Sequence, residues 1–263
     1  MTLGGDEIAR LAAQLDEAGL EGADMAQITH AYPRFDIGDA YAVQDELRRR
    51  TVARGARAVG FKVGLTAAAD MAAIGAQGPC FGFLADSFVL PDGAVCVLGK
   101  MRRPKVEAEI VFVTKAPLKG PGCHIAAVVA ATDFVLAGIE IVDSRYRDGQ
   151  FDLNSMIADN ACASRFVLGS RPVALEDVDL RTIGLVLEKN GQAVGFGAGA
   201  AVLSHPAAAV AMLANHLGAR GEEIPAGALV FSGAVVNAVA VEAGDSVTLR
   251  MQGVGATGVR FVA

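Results

Sequence analysis

Apolar positions follow two different periods along this chain. In the first part they recur at helical spacing. "DEIARLAAQLDEAG" is expected to form an amphipathic helix that stops at Gly19. "DIGDAYAVQDELRRRTVARG" is expected to form a second, with basic residues toward its C-terminus, where the helix dipole favours them, and a stop at Gly55.

From Ala58 onward the period shortens. "AVGFKVGLT", "DSFVLPDGAVCVL", "VEAEIVFVT", "FVLAGIEIVDSRY" and "SRFVLGS" are short, β-branched or aromatic, and bounded by Gly, Pro or Asp. "IGLVLEKNGQAVGFG" predicts a hairpin turning at Asn190-Gly191. "ALVFSGAVV", "AVAVEAG", "SVTLRMQG" and "TGVRFVA" continue the strand pattern. One helix interrupts it: "SHPAAAVAMLANHLGARG", with Ser204 as the expected N-cap and Pro206 in the first turn. Strands and helices do not alternate regularly, which argues against a doubly wound or (β/α)₈ sheet. The expectation is α+β: a small helical N-terminal region over residues 1–57, then a mixed-β core over residues 58–263, in one compact unit.

Composition narrows the function classes. The chain has 263 residues, 52% of them hydrophobic and 20% charged, enough for a sizeable core. A net charge of −6 argues against a nucleic-acid or acidic-membrane partner. Four scattered cysteines without a C-x-x-C pair read as reduced thiols. The N-terminus carries no apolar signal-peptide core. The charge-free run from Asn190 to Ala219 is broken by glycines, a proline, histidines and asparagines, so it does not read as a membrane span. A soluble, cytoplasmic protein is expected.

Candidate chemistry begins at "PKVEAEIVF", residues 104–112. Glu107 and Glu109 are two apart on a strand and share a face, in an otherwise apolar run. One reading is a half-exposed strand with an acidic outer face. If the strand is buried, the two carboxylates repel and are costly to desolvate unless a cation joins them. Glu140, inside the apolar strand "AGIEIV", offers a third carboxylate, with an ion pair to Arg145 or another cation as its ordinary explanation; Asp143 is an alternative ligand at the strand end. An all-oxygen site suits Mg²⁺ or Mn²⁺ better than zinc. Lys62 shares a strand face with Gly60 and Gly64, which leaves that face open for a ligand, and could serve as acid/base or hold a carboxylate; otherwise it is a surface lysine. His205 reads as a helix-start residue and Cys162 as a buried thiol. No nucleophile elbow or Walker loop is present.

"GFKVGLT", "FGFLADS", "VEAEIVFV", "GIEIVDSRY", "IADNACASRFVLG", "GAGAAVLSHPAAAVAMLANHLGARG", "AGALVFSGA" and "AGDSVTLRMQGVGATGVRF" occur in order over more than three-quarters of the chain. Together they resemble the 2-keto-4-pentenoate hydratase / 4-oxalocrotonate decarboxylase family of the fumarylacetoacetate hydrolase superfamily. The resemblance implies a mixed-sheet β-roll with peripheral helices, a cytoplasmic homo-oligomer, and Mg²⁺ or Mn²⁺ held by Glu107, Glu109 and Glu140. It also implies acid/base or substrate-orienting roles for Lys62 and Asp86, and Ser232 near the substrate carboxylate. Cys162 replaces the serine of the family's "DNAS", leaving Ser164, two residues on, as a substitute hydroxyl. Gly149-Gln150-Phe151 stands where several members, decarboxylases among them, carry Trp. On that ground the expected reaction is hydration of 2-hydroxypenta-2,4-dienoate to 4-hydroxy-2-oxopentanoate in aromatic meta-cleavage catabolism. The alternatives are a 4-oxalocrotonate-type decarboxylase and a non-catalytic partner subunit.

Overall fold

The structure, a computed structural model, describes residues 2–149 and 151–263. Its helices are α1 (Gly5–Glu21), α2 (Ile28–Ala31), α3 (Ile37–Ala53), α4 (Ala68–Ile74), α5 (Ile125–Ala131), α6 (Leu153–Ala158) and α7 (Pro206–Ala219). Its strands are β1 (Ala58–Gly64), β2 (Cys80–Ala85), β3 (Val89–Leu90), β4 (Val95–Val97), β5 (Lys105–Thr114), β6 (Thr132–Val142), β7 (Ala163–Leu168), β8 (Gly184–Lys189), β9 (Gln192–Ala198), β10 (Leu229–Ala234), β11 (Val239–Ala240), β12 (Ser246–Met251) and β13 (Gly255–Val262).

Two mixed sheets result. The larger has the order β2-β1-β10-β5-β6-β7-β3, with β11 also on β5; the smaller runs β4-β13-β12-β8-β9. The predicted hairpin joins β8 and β9, with Asn190 at φ 54° and Gly191 at φ 75°, as a two-residue turn between right-twisted strands requires.

The larger sheet has two apolar faces. On β5, Val106, Ala108 and Ile110 belong to the main core beneath the helices, as do Ile139 and Ile141 of β6. The opposite face curls on itself around a second cluster of Leu84, Val111, Leu136, Phe166 and Phe231. That cluster joins residues of β2, β5, β6, β7 and β10, so the sheet is a roll with its own plugged interior. Lys62, Glu107, Glu109 and Glu140 sit on this inner face.

Several expectations change in detail. The first helix passes through Gly19 and ends at Gly22, whose φ of 70° caps it. Asp36 caps α3 and pairs reciprocally with Asp39. The cap of α7 is His205, whose Nδ1 accepts from the Ala207 amide, not Ser204. Buried residues nearly encircle α7, which explains why the charge-free run is apolar. No helix among the described residues is long and apolar enough to cross a membrane. Helix α3 also contacts α6 and β2, so the N-terminal helices form one wall of the roll.

Candidate active site

The antiparallel register of β5 and β6 sets Glu107 directly opposite Glu140 and Glu109 opposite Gly138. Period-2 alternation turns all three carboxylates inward. Ligand oxygens of Glu107, Glu109 and Glu140 lie within 4.8 Å of one another. Glu109 and Glu140 are fully buried, and Glu107 is half-buried. The site therefore sits between the apolar plug below and the more open Glu107 end.

Lys62 reaches the triad from β1. In a flat sheet β1 and β6, three strand spacings apart, would be about 14 Å from each other. Side chains stand roughly perpendicular to a sheet, so the two could not meet. The curl brings Lys62 Nζ to 3.0 Å from Glu140 Oε2, an ion pair without hydrogen-bond alignment. The lysine's one hydrogen bond among the described residues goes to the Ala161 carbonyl, at 2.9 Å. Lys62 is 2% exposed, so the surface-lysine explanation fails.

Its glycine neighbours do not leave an open face as expected. A Cβ at Gly60 would lie 2.0 Å from the Leu229 carbonyl oxygen, and one at Gly64 would lie 3.1 Å from Cys80 Sγ. The missing side chains let β1 pack against β10 and Cys80, and protein fills the space.

Three ionised carboxylates against one ammonium would leave two negative charges in a buried pocket. Burial, reinforced by Glu140 and Glu107, pushes Glu109 well above the ordinary carboxylate range. Burial pushes Glu140 up to about 7 despite the opposing pull of Lys62. Burial alone would lower Lys62, but Glu140, Glu107 and Glu109 outweigh it and keep the ammonium protonated. Oε1 of Glu109 and Oε1 of Glu140 have no hydrogen-bond partner among the described residues. Glu109 Oε2 accepts from the Gly233 amide at 2.7 Å. Buried orphan oxygens, an excess of two negative charges and an all-oxygen donor set fit one hard divalent cation.

Other expected residues are placed as follows. Ser232 is fully buried on β10 beside Gly233, and its hydroxyl donates to the Ile110 carbonyl at 2.8 Å. Cys162 is buried next to Ala161, and burial raises its thiol far above the ordinary range. Ser164, on β7, lines a separate cleft beneath α1 and α3 together with Asn160, Arg145 and Arg165. Asp86 follows the far end of β2, with Ala85 opposite Ala58, whereas Gly82 is opposite Lys62. It accepts from the Arg57 backbone amide and pairs with the Arg57 guanidinium at 2.9 Å, which lowers its carboxyl. The structure thus brings together Lys62, Glu107, Glu109 and Glu140, with Ser232 and Cys162 beside them, and sets Asp86 and Ser164 elsewhere. Asp143 serves the Arg102 and Arg103 amides, and Arg145 pairs with Asp159, not Glu140. Residue 150 lies outside the described residues; Phe151 packs 6.4 Å from Tyr146.

The profile of the fumarylacetoacetate (FAA) hydrolase C-terminal family matches residues 52–262. The chain belongs to the fumarylacetoacetate hydrolase family. Among curated relatives, 4-oxalocrotonate decarboxylase of Pseudomonas putida is 51% identical over 261 residues, 99% of each chain. A 2-keto-4-pentenoate hydratase of Burkholderia vietnamiensis is 37% identical over 256 residues, 97% of this chain and 98% of its own. The solved structure of 4-oxalocrotonate decarboxylase from Pseudomonas putida G7, complexed with magnesium and adipate, superposes with a TM-score of 0.98 at 50% identity, covering 99% of each chain. This fumarylacetoacetate hydrolase family member is an enzyme whose relatives are decarboxylases and hydratases.

Proposed function

We propose that the chain is a Mg²⁺- or Mn²⁺-dependent decarboxylase of the 4-oxalocrotonate type, which removes CO₂ from an unsaturated 2-oxo dicarboxylate. The observation that carries this reading is the gap between 51% identity to the decarboxylase and 37% to the hydratase, each over nearly the full length. It reverses the order expected from the sequence, which favoured the hydratase because Trp is missing at Gly149-Gln150-Phe151. One short stretch weighs less than the whole chain. Hydration of 2-hydroxypenta-2,4-dienoate is the second reading, supported by the 37% relatives.

Glu107, Glu109 and Glu140 would hold the cation. When bound, it supplies a Lewis acid for the charge that develops on the substrate's 2-oxygen as the C–CO₂ bond breaks. Lys62, kept protonated beside Glu140, holds a proton where that oxygen forms the dienol. The plug beneath the triad keeps water from approaching from below. A buried lysine among three glutamates weighs against a non-catalytic subunit, since an idle site has no need of one. A soluble, cytoplasmic homo-oligomer completes the proposal; Phe196, 73% exposed on the edge strand β9, supports a covered surface in the assembly.

The test offers 4-oxalocrotonate and 2-hydroxypenta-2,4-dienoate separately to the purified protein with Mg²⁺, following CO₂ as well as ultraviolet loss. CO₂ from 4-oxalocrotonate is the expected result. Hydration of the pentadienoate with no CO₂ from the dicarboxylate would select the hydratase.

A further inference from the structure

The hydrogen bond that orients Lys62 comes from an unusual piece of chain. Asn160, Ala161 and Cys162 have φ of 51°, 49° and 62°, three consecutive non-glycine residues in the left-handed region. Such a run is unfavourable and persists only where the surroundings dictate it. Asn tolerates this conformation better than most residues; Ala and Cys have no such preference.

The surroundings here are specific. Asn160 is 1% exposed, and its side chain bonds both polar groups of one peptide residue: Oδ1 accepts from Phe83 N at 2.8 Å and Nδ2 donates to Phe83 O at 3.0 Å. Phe83 lies on β2, the terminal strand of the roll. The amide therefore takes the place of a neighbouring strand on that edge. At the turn's other end, the Cys162 carbonyl accepts from Asp143 N at 2.9 Å. Asp159, just before the turn, accepts from Arg145 N at 3.0 Å. A second buried amide, Gln44 of α3, donates to Phe81 O at 2.9 Å and Ile157 O at 2.7 Å, tying the same strand to the helix that leads into the turn. All these ties leave the Ala161 carbonyl facing Lys62.

We propose that Asn160 is a positioning residue for Lys62: by pairing with both polar groups of Phe83 it locks the left-handed turn whose Ala161 carbonyl aims the ammonium at the space beside the glutamate triad. The proposal rests on the functional reading above, because it assigns Lys62 a proton to deliver. The ion pair with Glu140 is poorly angled, whereas the bond to the Ala161 carbonyl is well aligned and fixes the ammonium's direction, and Ala161 is placed by Asn160. Without the amide, the ammonium is still attracted to the triad but is no longer held at one angle.

The decisive variant is Asn160→Gly. Glycine adopts a left-handed φ without cost, so the substitution deletes the amide without adding backbone strain. With Mg²⁺ saturating and the proposed decarboxylase assay, kcat should fall about a hundredfold, as for a misplacement of roughly 1 Å, while KM changes little. Mg²⁺ affinity, titrated calorimetrically on the unloaded protein, should stay within about twofold, because no carboxylate has been touched. Deuterium exchange at the Phe83 amide should quicken without exchange rising across the chain. Asn160→Asp, which keeps the acceptor for Phe83 N but loses the donor to Phe83 O, should lie between the two. A folded, Mg²⁺-binding Asn160→Gly protein with wild-type kcat overturns the proposal. If the glycine variant does not fold, Asn160→Asp with wild-type kcat and wild-type Phe83 exchange overturns it. Failure of the wild-type protein to act on either 4-oxalocrotonate or 2-hydroxypenta-2,4-dienoate would instead overturn the functional reading. Positioning would then be decided by a crystal structure of the variant, in which Lys62 Nζ either keeps or leaves its contact with Ala161.

Discussion

Glu109 and Lys62 have interdependent charges, and substitutions there should have separable effects. Glu109→Gln removes a buried charge and one donor oxygen. Mg²⁺ affinity should fall by at least about tenfold in calorimetry, together with activity. Lys62→Met keeps the volume but removes the proton. Activity should fall at least about a hundredfold, while the glutamates, relieved of a competing cation, should bind Mg²⁺ no more weakly. Full activity after Glu107→Ala, or in chelator-treated protein, would end the metal mechanism. The carboxylates were legible because strand alternation is a strict rule and two glutamates in an apolar run break the expected pattern. Lys62 was legible as a residue, but its flanking glycines were misread: a glycine can mark a ligand's approach or a neighbouring strand's, and only the fold distinguishes them. Asn160 was not legible, because three left-handed residues without glycine leave almost no mark on a sequence.

At the scale of elements, β1 and β10 pair in parallel although their residues lie far apart in the chain, with Lys62 opposite Phe231. That pairing depends on Gly60. A methyl group there would meet the Leu229 carbonyl at 2.0 Å, a backbone atom that cannot swing aside. Gly60→Ala should therefore cost about 3 kcal/mol, read as a lower denaturation midpoint, and should lower kcat as Lys62 moves away from the triad, with Mg²⁺ affinity little changed. Elements with strong local signals are legible in the sequence, including the long amphipathic helices, the Asn190-Gly191 hairpin and the strands bearing glutamates. The short helices α4, α5 and α6 were not read, since one or two turns give too few positions to establish a period. Strand β2 was also missed as a strand: all six of its residues are buried, so it shows no alternation. The same strand carries the edge that Asn160 completes.

Across the whole molecule, the buried acid cluster links stability to pH. Glu140 stands at about 7 in the folded chain without metal, above its ordinary value of 4.5. Between those values the folded state binds more protons than the unfolded state. Stability from this group is therefore present at acid pH and lost as pH rises through about 7. Asp159, which burial pushes up to about 6, acts in the same direction. A divalent cation replaces the protons, so saturating Mg²⁺ should raise the melting temperature more at pH 8 than at pH 5.5, measured by scanning calorimetry on chelator-treated protein. An equal increment at both pH values would show that the glutamates bind the ion without releasing protons. The general architecture was legible from the change of apolar period at Ala58, whereas the curl of the sheet was not, because curvature arises from contacts among strands distant in sequence. That curl has a kinetic consequence. Leu84, Val111, Leu136, Phe166 and Phe231 fill the roll on one side of the triad, and the half-buried Glu107 marks the more open side. If the proposed decarboxylation takes place there, its organic product leaves past the same half-buried glutamate that admits the reactant, and should inhibit competitively against its own precursor.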